Sequence, residues 1–152
     1  MIYKFLLLTF ILLCESASAS TKNFNRILEK NHSRYIKLEG YQAEGKATYY
    51  AKKFRGRKTA SGMKYLKDSY TAASKRLPLF SVVKVTNPKS NKTVSVLIND
   101  RGNFSNTLID LSEAAAKAIK LSSNDKIILE FDLESTLALE NNKKLLARKF
   151  NL

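Results

Sequence analysis

The sequence predicts a mainly β domain: a small barrel of short strands with one or two short helices, a linker before it and a helical tail after it. Three observations predict this. Residues 81–98 read as a β-hairpin, residues 126–131 read as a further strand, and a short alanine-rich helix lies between them. A chain of 152 residues sets a prior of one domain.

The elements follow in order. Met1 to Lys4 carries one positive side chain, Phe5 to Leu13 is apolar apart from Thr9, and Ala17-Ser18-Ala19 ends in a small-residue site. That is the layout of a secretory signal over residues 1–19, cleaved after Ala19. The apolar run is shorter than the roughly 20 residues a membrane-spanning helix needs. Cys14 follows Ile11-Leu12-Leu13, a sequence that resembles a lipoprotein lipobox but lacks the small residue before the cysteine. Membrane association is therefore expected only if Cys14 is lipidated. Cleavage after Ala19 removes the only cysteine, so neither a disulfide nor thiol chemistry is expected. With one histidine besides, no metal site is expected.

Residues 20–44 are polar and basic and read as a linker, with room for a short helix; His32 lies here and receives no role. Ala47-Thr48-Tyr49-Tyr50 is rich in β-formers. Ser81 to Thr86 and Thr93 to Ile98 are β-branched runs around the turn signal Asn87-Pro88-Lys89-Ser90-Asn91, hence the hairpin. Asn99 to Asn103 is dense in turn residues and reads as a loop. Ser112 is a natural N-cap for a helix of about two turns from Glu113 to Ile119. Lys126 to Phe131 is the closing strand, and residues 132–152 form the tail.

The chain carries 27 Lys+Arg against 13 Asp+Glu, a net charge of +14. Such a surface attracts polyanions. Between Lys46 and Arg76 there are ten cations and one acid, Asp68, with Tyr49, Tyr50, Phe54, Tyr65 and Tyr70 interleaved. Export removes nucleic acid as a partner, and no nucleic-acid-binding module is present.

Four segments stand in a distinctive order: Gly45-Lys46-Ala47-Thr48-Tyr49-Tyr50; Gly56-Arg57-Lys58-Thr59-Ala60-Ser61-Gly62; Thr71-Ala72-Ala73-Ser74-Lys75-Arg76-Leu77-Pro78; and Ile98-Asn99-Asp100-Arg101-Gly102-Asn103-Phe104 leading to Ile109-Asp110-Leu111-Ser112. Together they resemble the rare lipoprotein A family. The resemblance implies a six-stranded double-psi β-barrel over residues 45–131, peptidoglycan as substrate and no cofactor. It implies a lytic transglycosylase (a lyase) of the periplasm that cuts glycan strands to 1,6-anhydromuramic ends, with septal-ring proteins as partners.

Asp100 takes the family's acidic position and is implied as the acid/base. Tyr49, Tyr50, Arg57 and Thr59, with Ser74, Lys75, Asn99 and Arg101, are implied along the glycan path. The chain departs from the family pattern at telling positions. Met63 stands where the family has Glu, Ser74 where it has His, Asn103 where it has Pro and Ala51 where it has Gly. Met63 cannot transfer a proton, and an unassisted Ser hydroxyl is no base at neutral pH. Two readings follow: an enzyme working through Asp100, or a degenerate module that holds peptidoglycan without cutting it.

Overall fold

The computed structural model describes residues 22–123 and 125–141. The signal segment with Cys14 and the tail from residue 142 lie outside the described residues.

Six strands close into a barrel in the order β1-β5-β2-β4-β3-β6. They are β1 (Gln42–Tyr49), β2 (Thr71–Ala73), β3 (Val82–Asn87), β4 (Lys92–Asp100), β5 (Ile109–Leu111) and β6 (Lys126–Phe131). β1 runs antiparallel to β6 and parallel to β5, so closure leaves no open sheet edge. The predicted hairpin is present: β3 and β4 pair from Val82↔Leu97 to Asn87↔Lys92, and Asn91 takes the left-handed conformation that closes the turn. β4 runs on through Asp100, because β2 lies parallel to its far end and pairs there. Asn99 and Asp100 are thus the end of a strand, where the sequence suggested a loop, and the loop begins at Arg101.

β-Branched and aliphatic side chains fill the interior. Val83, Val85, Val96, Ile98, Ile109, Leu111, Ile127 and Leu129 are all buried. Alternation aims such residues inward on β1, β5 and β6, while β2 and the end of β4 are buried on both faces. Ser112 caps helix α2 (Glu113–Ala118) as expected: its hydroxyl accepts the Ala115 N–H and donates to the Ser69 carbonyl.

Two helices flank the barrel. The stretch read as a linker is mostly helix, α1, over residues 22–36. Leu28 and Tyr35 are buried in the barrel's main apolar cluster, the Phe24 ring meets Phe80 edge-on at 4.6 Å, and the Tyr35 hydroxyl donates to the Leu79 carbonyl at 2.5 Å. After it the chain turns and joins β1 at Gln42, three residues before Gly45. Beyond β6, Asp132 caps α3 (Leu133–Asn141) by accepting the Ser135 N–H at 2.9 Å. The Thr136 hydroxyl accepts the Val82 N–H, and Leu139 is buried. The start of the tail is therefore part of the packed domain.

If α1 belongs to the folded unit, its anchor is expensive to remove. Tyr35→Phe is expected to lower the unfolding free energy by about 1–2 kcal/mol, since the Leu79 carbonyl loses its donor. Tyr35→Ala should cost about 3–5 kcal/mol. Denaturant unfolding checks both, and loss-free truncation at residue 37 would show that α1 is only an appendage.

Candidate active site

The site is built on β2. Ala73 pairs with Asp100 of β4 on one side and with Asp110 of β5 on the other. Neighbouring strands lie about 4.8 Å apart, so the two aspartate Cα atoms are roughly 10 Å apart with Ala73 between them. Ile109 and Leu111 are buried on either side of Asp110, and Asn99 is buried before Asp100. Alternation thus turns Asp110 away from the core, and the register shift between Ala72 and Ala73 lets Asp100 do the same, each carboxylate being half-buried.

Three donors converge on Asp100. Oδ1 accepts the Ala60 N–H and the Arg101 N–H, each at 2.8 Å, and Oδ2 accepts the Tyr50 hydroxyl at 2.7 Å. A carboxylate has about four lone-pair positions. Among the described residues, one position on Oδ2 is left for a ligand. The Ala60 donor sits in a tight turn: Gly62, at φ +89°, gives its N–H to the Thr59 carbonyl, while the Thr59 N–H and hydroxyl both go to the Met63 carbonyl. The turn is tied down by the Ser61 N–H on the Asn99 carbonyl and by the Asn23 side-chain amide of α1 on the Ser61 carbonyl.

Asp110 has a different setting. Its Oδ1 accepts the Thr48 hydroxyl at 3.0 Å. Burial raises its pKa above the ordinary carboxylate value, the Thr48 bond opposes that shift, and the Asp100 charge adds to it. Sequence reading took Asp110 only as part of a family motif. The available signal was its place between two apolar residues of a strand, which turns it onto the outer face.

Tyr50 is buried, with its ring stacked on Tyr65 at 4.5 Å. Burial and the bond to Asp100 push its phenol far up, so the hydroxyl stays a donor. The Tyr65 oxygen accepts the Glu113 N–H, and Arg55 grips the Glu113 carboxylate with two nitrogens. A line of contacts thus runs from the start of α2 to Asp100.

The other expected residues divide by depth. Tyr49, Arg57 and Lys75 are exposed, and the Arg57 guanidinium lies 5.5 Å from the Phe54 ring centre. Thr59, Ser74 and Asn99 are set back from the surface at 8%, 2% and 2% exposure. The Ser74 hydroxyl accepts the Arg76 and Leu77 N–H groups at 3.3 and 3.2 Å, so it holds the chain's turn after β2. Arg101 meets the Asp100 carboxylate through its main-chain N–H, while its guanidinium turns to the carbonyls of Ser74 at 2.9 Å and Asp100 at 3.4 Å. Burial lowers its pKa, and Arg34 of α1 adds to that. Met63 is half-buried against the core. Gly102 lies beneath the Phe104 ring, where a Cβ would come within 1.9 Å of a ring carbon. Among the described residues no group of three His, Cys, Asp or Glu could hold a metal ion.

A closed six-stranded barrel in this strand order defines a small double-psi β-barrel domain. Residues 42–131 match the lytic transglycolase family, and the chain belongs to that family, as its resemblance to rare lipoprotein A implied. It is 55% identical over 83 residues to the endolytic peptidoglycan transglycosylase RlpA of Pasteurella multocida, covering 54% of this chain and 28% of that protein. It is 45% identical over 109 residues to the protein of the same name from Campylobacter jejuni, covering 69% and 40%. The chain thus spans less than half the length of these relatives. Among solved structures it is similar to the Streptomyces papain inhibitor, at TM-score 0.48 and 24% identity, covering 60% of this chain and 94% of that one.

The raised pKa of Asp110 has a consequence for stability. Between the ordinary carboxylate pKa of about 4 and its own higher value, the folded state binds more protons than the unfolded state, so stability falls as pH rises through that window. Asp110→Asn keeps an acceptor for Thr48 and removes the buried charge. It is expected to raise the Tm at pH 8, with the gain closing as the pH drops to about 4. Parallel melting profiles of the two proteins across that range would contradict the assignment.

Proposed function

We propose that this domain cuts peptidoglycan glycan strands as a lytic transglycosylase, leaving 1,6-anhydromuramic ends. The observation that carries the reading is the pairing of Ala73 with both Asp100 and Asp110, which sets two unlike carboxylates on one outer face. Membership of the lytic transglycolase family and the names of the relatives support it.

The sequence assigned both proton transfers to Asp100. The geometry favours sharing them. Asp110, with its raised pKa, is suited to protonate the leaving glycosidic oxygen, because a general acid works best with its pKa near the working pH. As the C1–O bond breaks, an oxocarbenium-like centre develops on the muramic sugar. The sugar's own 6-hydroxyl attacks C1, and its proton passes to the free position on Asp100 Oδ2. Tyr50 and the two backbone N–H groups hold that carboxylate in place. No water is consumed, and the two aspartates recover their starting states by proton exchange with solvent. Exposed Tyr49, Arg57 and Lys75 are placed to meet the strand. Thr59, Ser74 and Asn99 act from behind, by shaping the turns that carry the site. On this reading the chain works in the periplasm after export through residues 1–19, with septal-ring proteins as partners and the membrane reached only through a lipid on Cys14.

The second reading, a module that holds glycan without cutting it, is favoured by Met63 and Ser74. Neither can move a proton in place of Glu or His, and the Ser74 hydroxyl is already engaged with two amides. Digestion of purified sacculi separates the two readings. Mass spectrometry should find anhydro-ended fragments with the wild-type chain. Asp100→Asn and Asp110→Asn should each slow their release by about 100-fold or more while still pelleting with sacculi. Pelleting without fragments from the wild type would leave the binding reading.

A further inference from the structure

We propose that Asn23, in the first turn of α1 and outside the matched family domain, is a positioning residue for Asp100: its side-chain amide holds the turn that presents the Ala60 N–H to that carboxylate. The functional half of this rests on the reading of Asp100 as a proton acceptor in glycan cleavage. The turn, residues 59–63, is poorly supported at its neck. Lys58 and Lys64 are bridged there as an antiparallel pair, flanked by the Thr59 N–H on the Met63 carbonyl and the Tyr65 N–H on the Arg57 carbonyl. That makes it the closer, non-hydrogen-bonded kind of pair, with two like charges directly opposed, an arrangement that weakens pairing. Among the described residues no acid is paired with either lysine. Among the same residues, three hydrogen bonds tie the turn to the rest of the chain. The Ala60 N–H donates to Asp100, the Ser61 N–H donates to the Asn99 carbonyl at 3.0 Å, and the Asn23 amide donates to the Ser61 carbonyl at 3.4 Å. Two of these run to β4, the strand that carries Asp100, so Asn23 gives the turn its one independent fix.

Asn23 is itself held. Arg26, three residues on and hence on the same helix face, donates to Asn23 Oδ1 at 3.2 Å, which leaves the amide nitrogen to face the turn. That nitrogen stands over the tip: a Cβ added to Gly62 would lie 3.8 Å from it. The next residue, Phe24, meets the Phe80 ring edge-on, and the Phe80 N–H donates to the Ile98 carbonyl at 2.6 Å. Ile98 is two residues before Asp100 on β4. Helix, turn and carboxylate are thus all referred to one strand end. Without the Asn23 donor the Ser61 carbonyl turns to water, and the turn is held from β4 alone. The fold does not need the bond, since Phe24, Leu28 and Tyr35 anchor α1 without it. Its effect therefore falls on the placing of the Ala60 N–H rather than on stability.

The test compares Asn23→Leu and Asn23→Asp with the wild type, using the full chain. Leu is a neutral near-isostere and a better helix former, and Asp suits the first turn of a helix, so both keep α1 while removing the donor. Agreement between them excludes an effect of the new charge. Two readouts are taken: amide hydrogen exchange at Ala60 and Ser61 by NMR, and release of anhydro ends from glycan strands. Exchange at those two amides should quicken about three- to tenfold in both variants, the range for loss of one hydrogen bond. Exchange at Val85 and Leu129, in the barrel ladder, and the Tm should stay unchanged. kcat should fall by the same factor with KM steady, and Arg26→Gln should give a smaller change in the same direction. Unaltered exchange at Ala60, or exchange quickened throughout the barrel, overturns the proposal. Faster exchange at the turn with an undiminished kcat overturns the role in cleavage. A wild type that releases no anhydro ends sinks the cleavage reading alone, and exchange at Ala60 then still decides whether Asn23 holds the turn.

Discussion

The whole site depends on the double pairing of one alanine. β2 is three residues long, buried throughout, and hydrogen-bonded in parallel to β4 and antiparallel to β5. Its residues, Thr71, Ala72 and Ala73, are small enough to sit between two strands with packing on both faces. A one-residue slip in either pairing would turn an aspartate into the core, where an unpaired charge costs several kcal/mol. The irregularity between Ala72 and Ala73 is what lets Asp100 face outward after four buried residues in a row on β4. The carboxylates are therefore held by backbone ladders on both sides, a firmer support than a loop provides.

What surrounds those ladders makes the two acids unlike. Asp100 sits among donors, two from the main chain and one from Tyr50, while among the described residues Asp110 has a single hydroxyl partner and a pKa raised by burial. Part of this support reaches the site from outside the family domain. Asn23 of α1 bonds the turn that presents Ala60, and Arg34 of the same helix lies near enough to Arg101 to depress its pKa. The helix before the barrel thus helps to hold the turn that presents Ala60 to Asp100.

Much of this was legible in the residues. β-Branched runs around Asn87-Pro88, the Ser112 cap and the Lys126–Phe131 strand all carry local signals strong enough to survive into the fold. α1 was hidden for a specific reason: Phe24, Ile27, Leu28 and Tyr35 follow a helical period, but Asn31 interrupts the stripe and the flanking residues are highly basic. Asp100 was found through its motif. The distinct setting of Asp110 was not, because burial and the Thr48 bond arise from β1 lying alongside β5, sixty-two residues apart in sequence at that contact. Likewise Ser74 read as a thinned catalytic position, and only its two amide partners show that it has become part of the framework.

That last feature bears on which side chains position 74 can accept. An imidazole placed at position 74 would have to enter a place with 2% exposure, and it would strip the Arg76 and Leu77 amides of their acceptor. That replacement would be harmful by itself and would need compensating changes in the following turn. The serine is in this sense a keystone of the turn: its small side chain and its two amide partners are coupled, so neither can be changed without the other.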